Sequence, residues 1–484
     1  MSITQDIVAK LWNLCNVLKD GGVTYHQYVI ELTYLLFLKM AKETQTESQL
    51  PVGYRWDDLE KQPTDDRLNF YKSLLSYLGS HGSTLVKEIF GDAVSLIKNP
   101  TTLSMLVTGI DKLDWYSARR EGLGDVYEGL LEKNANEKKA GAGQYFTPRS
   151  LIDSMVHVMR PTLNDIIQDP AAGTGGFLIA ADRYIREHSD LDSWTEKQKQ
   201  KYGQNTFYGM EHVPDTHRLA LMNLMLHGLG FEPQGAGIRY GDTLSPEGEA
   251  LPKATLILTN PPFGSKKGSG LPSRSDFEFS TSNKQLCFLQ HIYLGLRPGG
   301  RAAAIFPDNV LFEGNIGKQI RVDLMDRCNL HTILRLPTGI FYAQGVKTNV
   351  LFFTRGKKDK GNTKEVWVYD LRANIPQFGK RTSLMRDHFA EFEDAFRDDP
   401  LGGAVSLAQR TDTGEEGRFR RFSREWIAER GDNLDIAWLK DDREEDNGDL
   451  PEPAILAQEA MNELEAAMAE LQGILQELGE EVTL

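Results

Sequence analysis

Two consecutive prolines at the end of a short apolar run constrain the fold of this chain more than any other feature. The run Ala254–Thr259 has the length and apolar character of a buried strand. Pro261 and Pro262 end that strand, because proline has no N–H to donate to a sheet. The segment from Asn260 to Phe263 (Asn-Pro-Pro-Phe, the NPPF segment) therefore lies at the strand's carboxyl end, where open α/β sheets bind their ligands.

The NPPF segment suits the transfer of a methyl group to an exocyclic amino group. The lone pair of adenine N6 is delocalised into the ring, so this nitrogen is a poor nucleophile. The side-chain carbonyl of Asn260 and the main-chain carbonyl of Pro261 can each accept one N6 hydrogen, which favours a tetrahedral nitrogen. Phe263 can stack on the base once it has left the duplex. A strand-ending turn with a packed Phe is the alternative interpretation.

A turn of small residues follows another predicted strand. Ile166–Asp169 is predicted as the strand, Pro170–Gly176 as the turn and Phe177–Arg186 as a helix. Small residues let the backbone approach a ligand, and the helix start presents free N–H groups. The spacing matches neither a dinucleotide fingerprint nor a phosphate loop. A tight turn without a ligand is the alternative.

Two further predicted strands end in carboxylates. Thr206–Met210 is followed by Glu211, which can accept hydrogen bonds from both hydroxyls of a ribose. The strand from Ile238 ends at Asp242, which can accept from the adenine amino group of a cofactor; a solvated loop acid is the alternative.

Upstream, the segment 141–149 is a polar and aromatic loop that could fold over a ligand. Thr147 is predicted as the N-cap and Pro148 as the first residue of a helix running from Ser150 to Met159. A capped helix start without a ligand is the alternative.

Helical patterns fill residues 1–140, and strands alternate with helices to residue 369. A loop, 264–279, carries Lys266, Lys267 and Arg274, which are expected either to meet a DNA backbone or to belong to a disordered loop. Phe341 is a second stacking candidate, for which core packing is the favoured interpretation. The predicted fold class is α/β, with a Rossmann-like sheet, an N-terminal helical domain and a C-terminal helical tail.

The net charge of −14 arises almost entirely from the end of the chain. Residues 441–484 hold fourteen acidic residues and one basic residue, while the other 440 residues are close to neutral. The three scattered cysteines and the histidines lack ligand spacing, so no structural metal is predicted and a reducing cytosol is expected. No apolar run is long enough to span a membrane, and the N-terminus does not resemble a signal peptide.

The tail has an apolar seam at spacings of three and four residues, which predicts a helix docked on a partner or packed on its own domain. The seam consists of Ala457, Met461, Leu464, Met468, Leu471, Leu475 and Leu478.

Three motifs together resemble the methylation subunits of type I restriction–modification systems, of the K-type subfamily, which are N6-adenine DNA methyltransferases. They are Gly143–Pro148 (GQYFTP), Asp169–Phe177 (DPAAGTGGF) and the NPPF segment, in the order of the γ arrangement. The resemblance implies S-adenosylmethionine as cofactor and a catalytic role for Asn260, Pro261, Pro262 and Phe263. The expected cofactor-binding residues are Gln144, Tyr145, Phe146, Thr147, Pro148, Arg149, Asp169, Gly173, Thr174, Gly175, Gly176, Glu211 and Asp242.

The resemblance also implies DNA and other subunits as partners. Two methylation subunits would join one specificity subunit, which reads the DNA target, and restriction subunits would add translocation and cleavage. The expected domains are residues 1–140 (helical), 141–380 (methyltransferase) and 381–484 (C-terminal docking region). Alternatives are a protein-glutamine methyltransferase, whose motif typically ends in Tyr, a cytosine-N4 methyltransferase, and a noncatalytic scaffold that binds cofactor or DNA.

Overall fold

The computed structural model describes most of the chain as two compact units. The described residues are 3–19, 25–115, 129–130, 147–229, 237–263, 272–341, 346–376, 378, 382, 384–440, 461 and 468. Unit 1 comprises Met1–Lys139 and Pro161–Thr243, and unit 2 comprises Ala140–Arg160 and Leu244–Leu484. Each unit contains both helices and strands.

The helices, numbered along the chain, are α1 (Ile3–Lys19), α2 (Tyr25–Glu43), α3 (Trp56–Glu60), α4 (Thr64–His81), α5 (Thr84–Phe90), α6 (Pro100–Asp111), α7 (Arg149–Met159), α8 (Gly176–Glu187), α9 (Glu196–Asn205), α10 (Pro214–Leu226), α11 (Pro246–Glu249), α12 (Lys284–Gly295), α13 (Asn309–Phe312), α14 (Asn315–Arg327), α15 (Ala390–Phe396), α16 (Ala404–Leu407) and α17 (Arg424–Glu429). The strands are β1 (Ile167–Asp169), β2 (Phe207–Glu211), β3 (Gly237–Tyr240), β4 (Ala254–Thr259), β5 (Leu296–Pro307), β6 (Cys328–Arg335), β7 (Thr348–Arg355), β8 (Glu365–Asp370) and β9 (Phe419–Ser423).

In unit 1 a parallel three-stranded arrangement is joined to the N-terminal helices by one shared core. The strand order is β3-β2-β1, with Asp169 opposite Gly209 and Glu211 opposite Tyr240. Helix α10 packs on β3, α2 and α5. Its apolar residues, Leu221 and Met222 among them, belong to the same buried cluster as the N-terminal helices. Burial of this apolar surface holds the helical region on the α/β part of the unit.

Unit 2 contains the strand order β4-β5-β7-β6-β8-β9, in which β4 and β5 are parallel and β7 is antiparallel to both of its neighbours. Helix α7 packs on β5, although it lies far from β5 in sequence. The buried guanidinium of Arg301 on β5 donates to the carbonyl oxygens of Met159 (2.8 Å) and Arg160 (2.9 Å). These bonds satisfy carbonyls at the end of α7 that no helical N–H can reach.

The α/β class predicted from the sequence is confirmed, and most predicted strands lie within two residues of the observed ones. The prediction that the sheet ends at Tyr369 is wrong, because Phe419–Ser423 forms β9, antiparallel to β8. Strand β5 begins at Leu296, and its pairing with β4 shifts register across residues 297–300.

Two further findings concern the described residues alone. No cluster of His, Cys, Asp or Glu among them could hold a metal ion. None of their helices combines the length and the apolar character needed to cross a membrane. The predicted heptad seam lies outside the described residues, apart from Met461 and Met468, which are helical and exposed.

Candidate active site

The loop between β1 and α8 in unit 1 is shaped by two glycines with left-handed backbone conformations. Gly173 has φ +55° and Gly175 has φ +86°, values that L side chains rarely adopt. The carboxylate of Asp169 is buried, and its Oδ1 accepts from the N–H of Ala171 at 3.1 Å, which stabilises the start of the loop. Gly176 then begins α8, so the predicted order of strand, small-residue turn and helix is observed.

Glu211, at the end of β2, forms a hydrogen bond with this loop. Its Oε2 accepts from the N–H of Gly173 at 2.9 Å, and its Oε1 accepts from the N–H of Val213 at 2.8 Å. Burial raises the pKa of Glu211, and the two backbone N–H groups offset only part of that rise. Each carboxylate oxygen has a second lone pair, so Glu211 retains the capacity to accept further hydrogen bonds.

Two residues that were not predicted also donate hydrogen bonds to this loop. Asn223 on α10 is 1 % exposed, and its Nδ2 donates to the carbonyl oxygen of Thr174 at 3.0 Å. Thr243 donates through Oγ1 to the carbonyl oxygen of Pro170, which ties the segment after Asp242 to the same loop. The one sequence signal for Asn223 is an amide inside the apolar run of α10. Unit 1 thus brings together the predicted residues Asp169, 173–176 and Glu211 and the segment carrying Asp242.

The NPPF segment in unit 2 follows β4, whose predicted bounds Ala254–Thr259 agree with the structure. The amide of Asn260 is fixed on one side only. Its Nδ2 donates to Thr147 Oγ1 at 2.9 Å, whereas its Oδ1 is buried and has no hydrogen-bond partner among the described residues. A buried acceptor without a partner costs about 1–3 kcal/mol, so this carbonyl oxygen has the capacity to accept from a donor outside the described residues.

Thr147 and Pro148 differ from their predicted roles at the start of α7. The helix begins at Arg149, so Pro148 is the N-cap residue rather than the first helical residue, and no side chain in the described part of the chain caps the helix. Thr147 was predicted to be that cap. Its hydroxyl instead accepts from the Asn260 amide, which accounts for the difference. Gln144, Tyr145 and Phe146 lie outside the described residues.

Phe263 and Phe341 are in edge-to-face contact, with ring centroids 6.1 Å apart and an interplanar angle of 81°. Phe341 is 2 % exposed, so its role is core packing against Phe263, as the favoured interpretation of the sequence had it.

The suggestion that Arg274 meets a DNA backbone is wrong. Its side chain is 2 % exposed and makes two hydrogen bonds, each 2.8 Å, to Asp276. It also lies over the ring of Phe277. A guanidinium with these partners is a structural ion pair rather than a phosphate contact. Lys266 and Lys267 lie outside the described residues.

Comparison with known proteins identifies the family. The N-6 DNA methylase family matches residues 118–447, and the C-terminal domain of type I restriction enzyme methylase subunits matches residues 450–482. The EcoKI methylase subunit of Escherichia coli K12 is 51 % identical over 506 aligned positions, covering 98 % of this chain and 95 % of that protein. The StySJI methylase subunit of Salmonella typhimurium is also 51 % identical, with the same coverage.

Solved structures agree with this assignment. The crystal structure of the EcoKI M protein aligns with a TM-score of 0.58 at 47 % identity, covering 98 % of this chain and 97 % of that one. A structure from work on the assembly and conformational transition of a type I restriction–modification system aligns with a TM-score of 0.72 at 25 % identity, covering both chains in full. This chain therefore belongs to the N-6 DNA methylase family, as a methylase subunit of a type I restriction enzyme.

Proposed function

We propose that this N6-adenine DNA methyltransferase subunit uses S-adenosylmethionine as methyl donor and the NPPF segment to activate the target adenine. The observation that supports this most directly is the buried Asn260 Oδ1, which has no hydrogen-bond partner in the described part of the chain, next to an Nδ2 that Thr147 holds in place. Such an amide presents a fixed acceptor, and fixed dipoles contribute most to catalysis when they require no reorganisation.

In this mechanism, Asn260 Oδ1 accepts one N6 hydrogen of an adenine rotated out of the duplex, and the Pro261 main-chain carbonyl accepts the other. The two acceptors draw the hydrogens out of the plane of the ring, which localises the lone pair on N6. Pro262 keeps the turn rigid, and Phe263 stacks on the face of the base. The positive charge that develops on N6 strengthens both hydrogen bonds in the transition state, which is the condition for catalysis.

The unit 1 loop has the features that a bound nucleoside requires. A Cβ built on Gly173 would meet no described atom within 4 Å, so the backbone there is open to a ligand. Glu211 lies beside it and can accept from ribose hydroxyls. We assign cofactor binding to Asp169, residues 173–176, Glu211 and Asp242, together with 144–149. The bound cofactor supplies an electrophilic methyl group on a sulfonium.

We further propose that DNA is recognised through a separate specificity subunit shared by two methylation subunits, with restriction subunits joining the complex in the cytoplasm. The nearly neutral charge of residues 1–440 supports this, because a protein that binds DNA alone usually provides a basic surface. The C-terminal region from 381 is assigned to subunit docking, after a helical domain (1–140) and a methyltransferase domain (141–380).

The experiment is transfer of tritiated methyl groups from S-adenosylmethionine to DNA, with and without the specificity subunit. Asn260→Ala should lower the transfer rate at least about 100-fold while cofactor affinity stays unchanged. Asn329→Ala is the matched control, since that amide donates to the carbonyl oxygen of Gly402 at 2.8 Å elsewhere in unit 2. Transfer to a peptide or to cytosine would contradict the proposal, as would loss of cofactor binding in Asn260→Ala.

A further inference from the structure

A single guanidinium forms hydrogen bonds to the residues that flank both ends of the segment 337–347, which carries Phe341. Arg372, just after β8, donates through Nε to the carbonyl oxygen of Leu336 (3.1 Å) and through Nη2 to that of Thr348 (3.0 Å). Leu336 precedes the segment and Thr348 follows it. The N–H of Leu336 also donates to the carbonyl oxygen of Thr348 at 3.0 Å, so both ends are fixed to each other and to Arg372.

Asp308 holds this guanidinium in place. Its two carboxylate oxygens accept from Arg372 Nη1 and Nη2 at 2.8 and 2.9 Å, a bidentate geometry that fixes direction as well as distance. Asn349 donates to the same carboxylate at 2.7 Å, and the N–H of Asp308 donates to the carbonyl oxygen of Lys347 at 2.9 Å. Both side chains of the ion pair are largely buried, at 10 % and 16 % exposed.

The protonation of Asp308 is consistent with a permanent ion pair. Burial alone would raise its pKa, but the hydrogen bonds and the charge of Arg372 hold that pKa below its ordinary value. The carboxylate is therefore ionised throughout the neutral range. Through this ion pair and its other hydrogen bonds, Arg372 connects the residues that follow β5, β6 and β8 to the first residue of β7.

The anchored segment determines where Phe341 lies. Phe341 comes five residues after Leu336, and its buried ring meets the ring of Phe263 edge to face. Such contacts depend on the placement of both rings. A shift of the Leu336 backbone would move Phe341 and remove the support on that side of Phe263.

We infer that Arg372 is a positioning residue for methyl transfer, which holds Phe341 against Phe263 by clamping the two ends of the segment 337–347 to Asp308. The inference rests on the proposed role of Phe263 in stacking on the target base. It predicts that Arg372 acts on the rate of transfer through Phe341 and not through general stability alone.

Arg410 provides the matched control. It is also a buried guanidinium of unit 2, 6 % exposed, and donates to Thr332 Oγ1 at 2.8 Å and to the carbonyl oxygen of Phe396 at 2.9 Å. Among the described residues, none of its hydrogen bonds reaches the segment 337–347. Arg410→Lys therefore removes comparable buried contacts and reports on stability without moving Phe341.

The experiment uses the methylase subunit purified with its specificity subunit and cognate DNA. Arg372→Lys should lower kcat about 10-fold or more with KM for S-adenosylmethionine unchanged, since small misplacements of reacting groups have effects of this size. Asp308→Asn, which keeps the shape of the side chain, should lower kcat in the same direction but less. The double variant Arg372→Lys/Phe341→Leu should be no slower than Phe341→Leu, because the two changes act through one contact. Arg410→Lys should lower the melting temperature and leave kcat within about twofold of the wild type.

The kcat values of the variants distinguish a positioning role of Arg372 from a purely structural one. If the losses for Arg372→Lys and Phe341→Leu multiply, or Arg410→Lys lowers kcat equally, the positioning role is wrong. An unaffected kcat in Arg372→Lys, with an active wild type, overturns this inference alone. A wild-type complex that transfers no methyl group to adenine overturns the proposed function, and the role of Arg372 with it.

Discussion

Thr147 Oγ1 accepts a hydrogen bond from Asn260 Nδ2 at 2.9 Å, and this contact joins residues 113 positions apart in the sequence. The bond fixes the orientation of the Asn260 amide. With Nδ2 engaged, Oδ1 is the atom left without a partner among the described residues, and it is the acceptor in the proposed mechanism of methyl transfer.

The first prediction removes that bond. Thr147→Val keeps the shape of the side chain but offers no acceptor, so the Asn260 amide is free to rotate and present its NH₂ group. We expect kcat to fall about tenfold, the size of one hydrogen bond near 1.4 kcal/mol, at saturating cofactor and DNA. Thr147→Ser retains a hydroxyl and should stay close to the wild type. A loss of cofactor affinity as large as the loss in kcat, by calorimetry, would show that Thr147 acts through its assigned contact with the cofactor and not by orienting Asn260.

The second prediction concerns the backbone of the loop between β1 and α8, the proposed cofactor-binding loop. Gly173→Ala and Gly228→Ala make a matched pair, since both glycines have positive φ (+55° and +70°) and neither Cβ would meet a described atom within 4 Å. Each should lower the free energy of unfolding by about 1 kcal/mol, because alanine is strained in this conformation. Only Gly173→Ala should weaken binding of S-adenosylmethionine, by about tenfold or more, since its methyl group points into the proposed site. Similar dissociation constants for the two variants would exclude that placement.

The parts of the candidate site that depend on residues close together in the sequence could be predicted. The strand β4 is bounded by its apolar run and by Pro261 and Pro262, so its ends could be predicted to the residue. Glu211 could be predicted from its place at the end of β2. The neighbouring parallel strand β1 ends at the same edge of the sheet, and the glycine loop begins there.

Contacts between distant parts of the chain could not be predicted. Asn223 reaches Thr174 across 49 residues, and Arg372 reaches Asp308 across 64. For neither side chain does the surrounding sequence indicate which residue it contacts. Strand β9 was missed for a related reason: Phe419–Ser423 is short and contains two arginines, and its pairing with β8 defines it as a strand.

The third prediction tests the tail as a docking element. Deletion of residues 451–484, most of the segment matched by the C-terminal domain of type I methylase subunits, should weaken co-elution with the specificity subunit. Cofactor affinity should change little. Leu464→Asp with Leu471→Asp should have the same effect, because both residues belong to the apolar seam. Glu463→Gln with Glu470→Gln, off the seam, is the control. Unchanged assembly in size-exclusion chromatography after the deletion would reject the docking role.

The fourth prediction follows from the buried carboxylate at the end of β2. Burial raises the pKa of Glu211 above its ordinary value of 4.5, and ribose hydroxyls donate better to the ionised form. Binding of S-adenosylmethionine should therefore be tightest above the raised pKa and should weaken as the pH falls through it, by up to about tenfold per pH unit.

Glu211→Gln removes the ionisation, so affinity should be about 10- to 100-fold lower at neutral pH and nearly independent of pH. Glu196→Gln is the control, because the Glu196 side chain is 90 % exposed in the same unit. The sign follows from linkage: a carboxyl that must lose its proton to bind the ligand gives an affinity that rises with pH up to its pKa in the free protein. Calorimetric titrations between pH 5 and 8 measure this slope, and a wild type whose slope matches that of Glu211→Gln would remove Glu211 from the cofactor site.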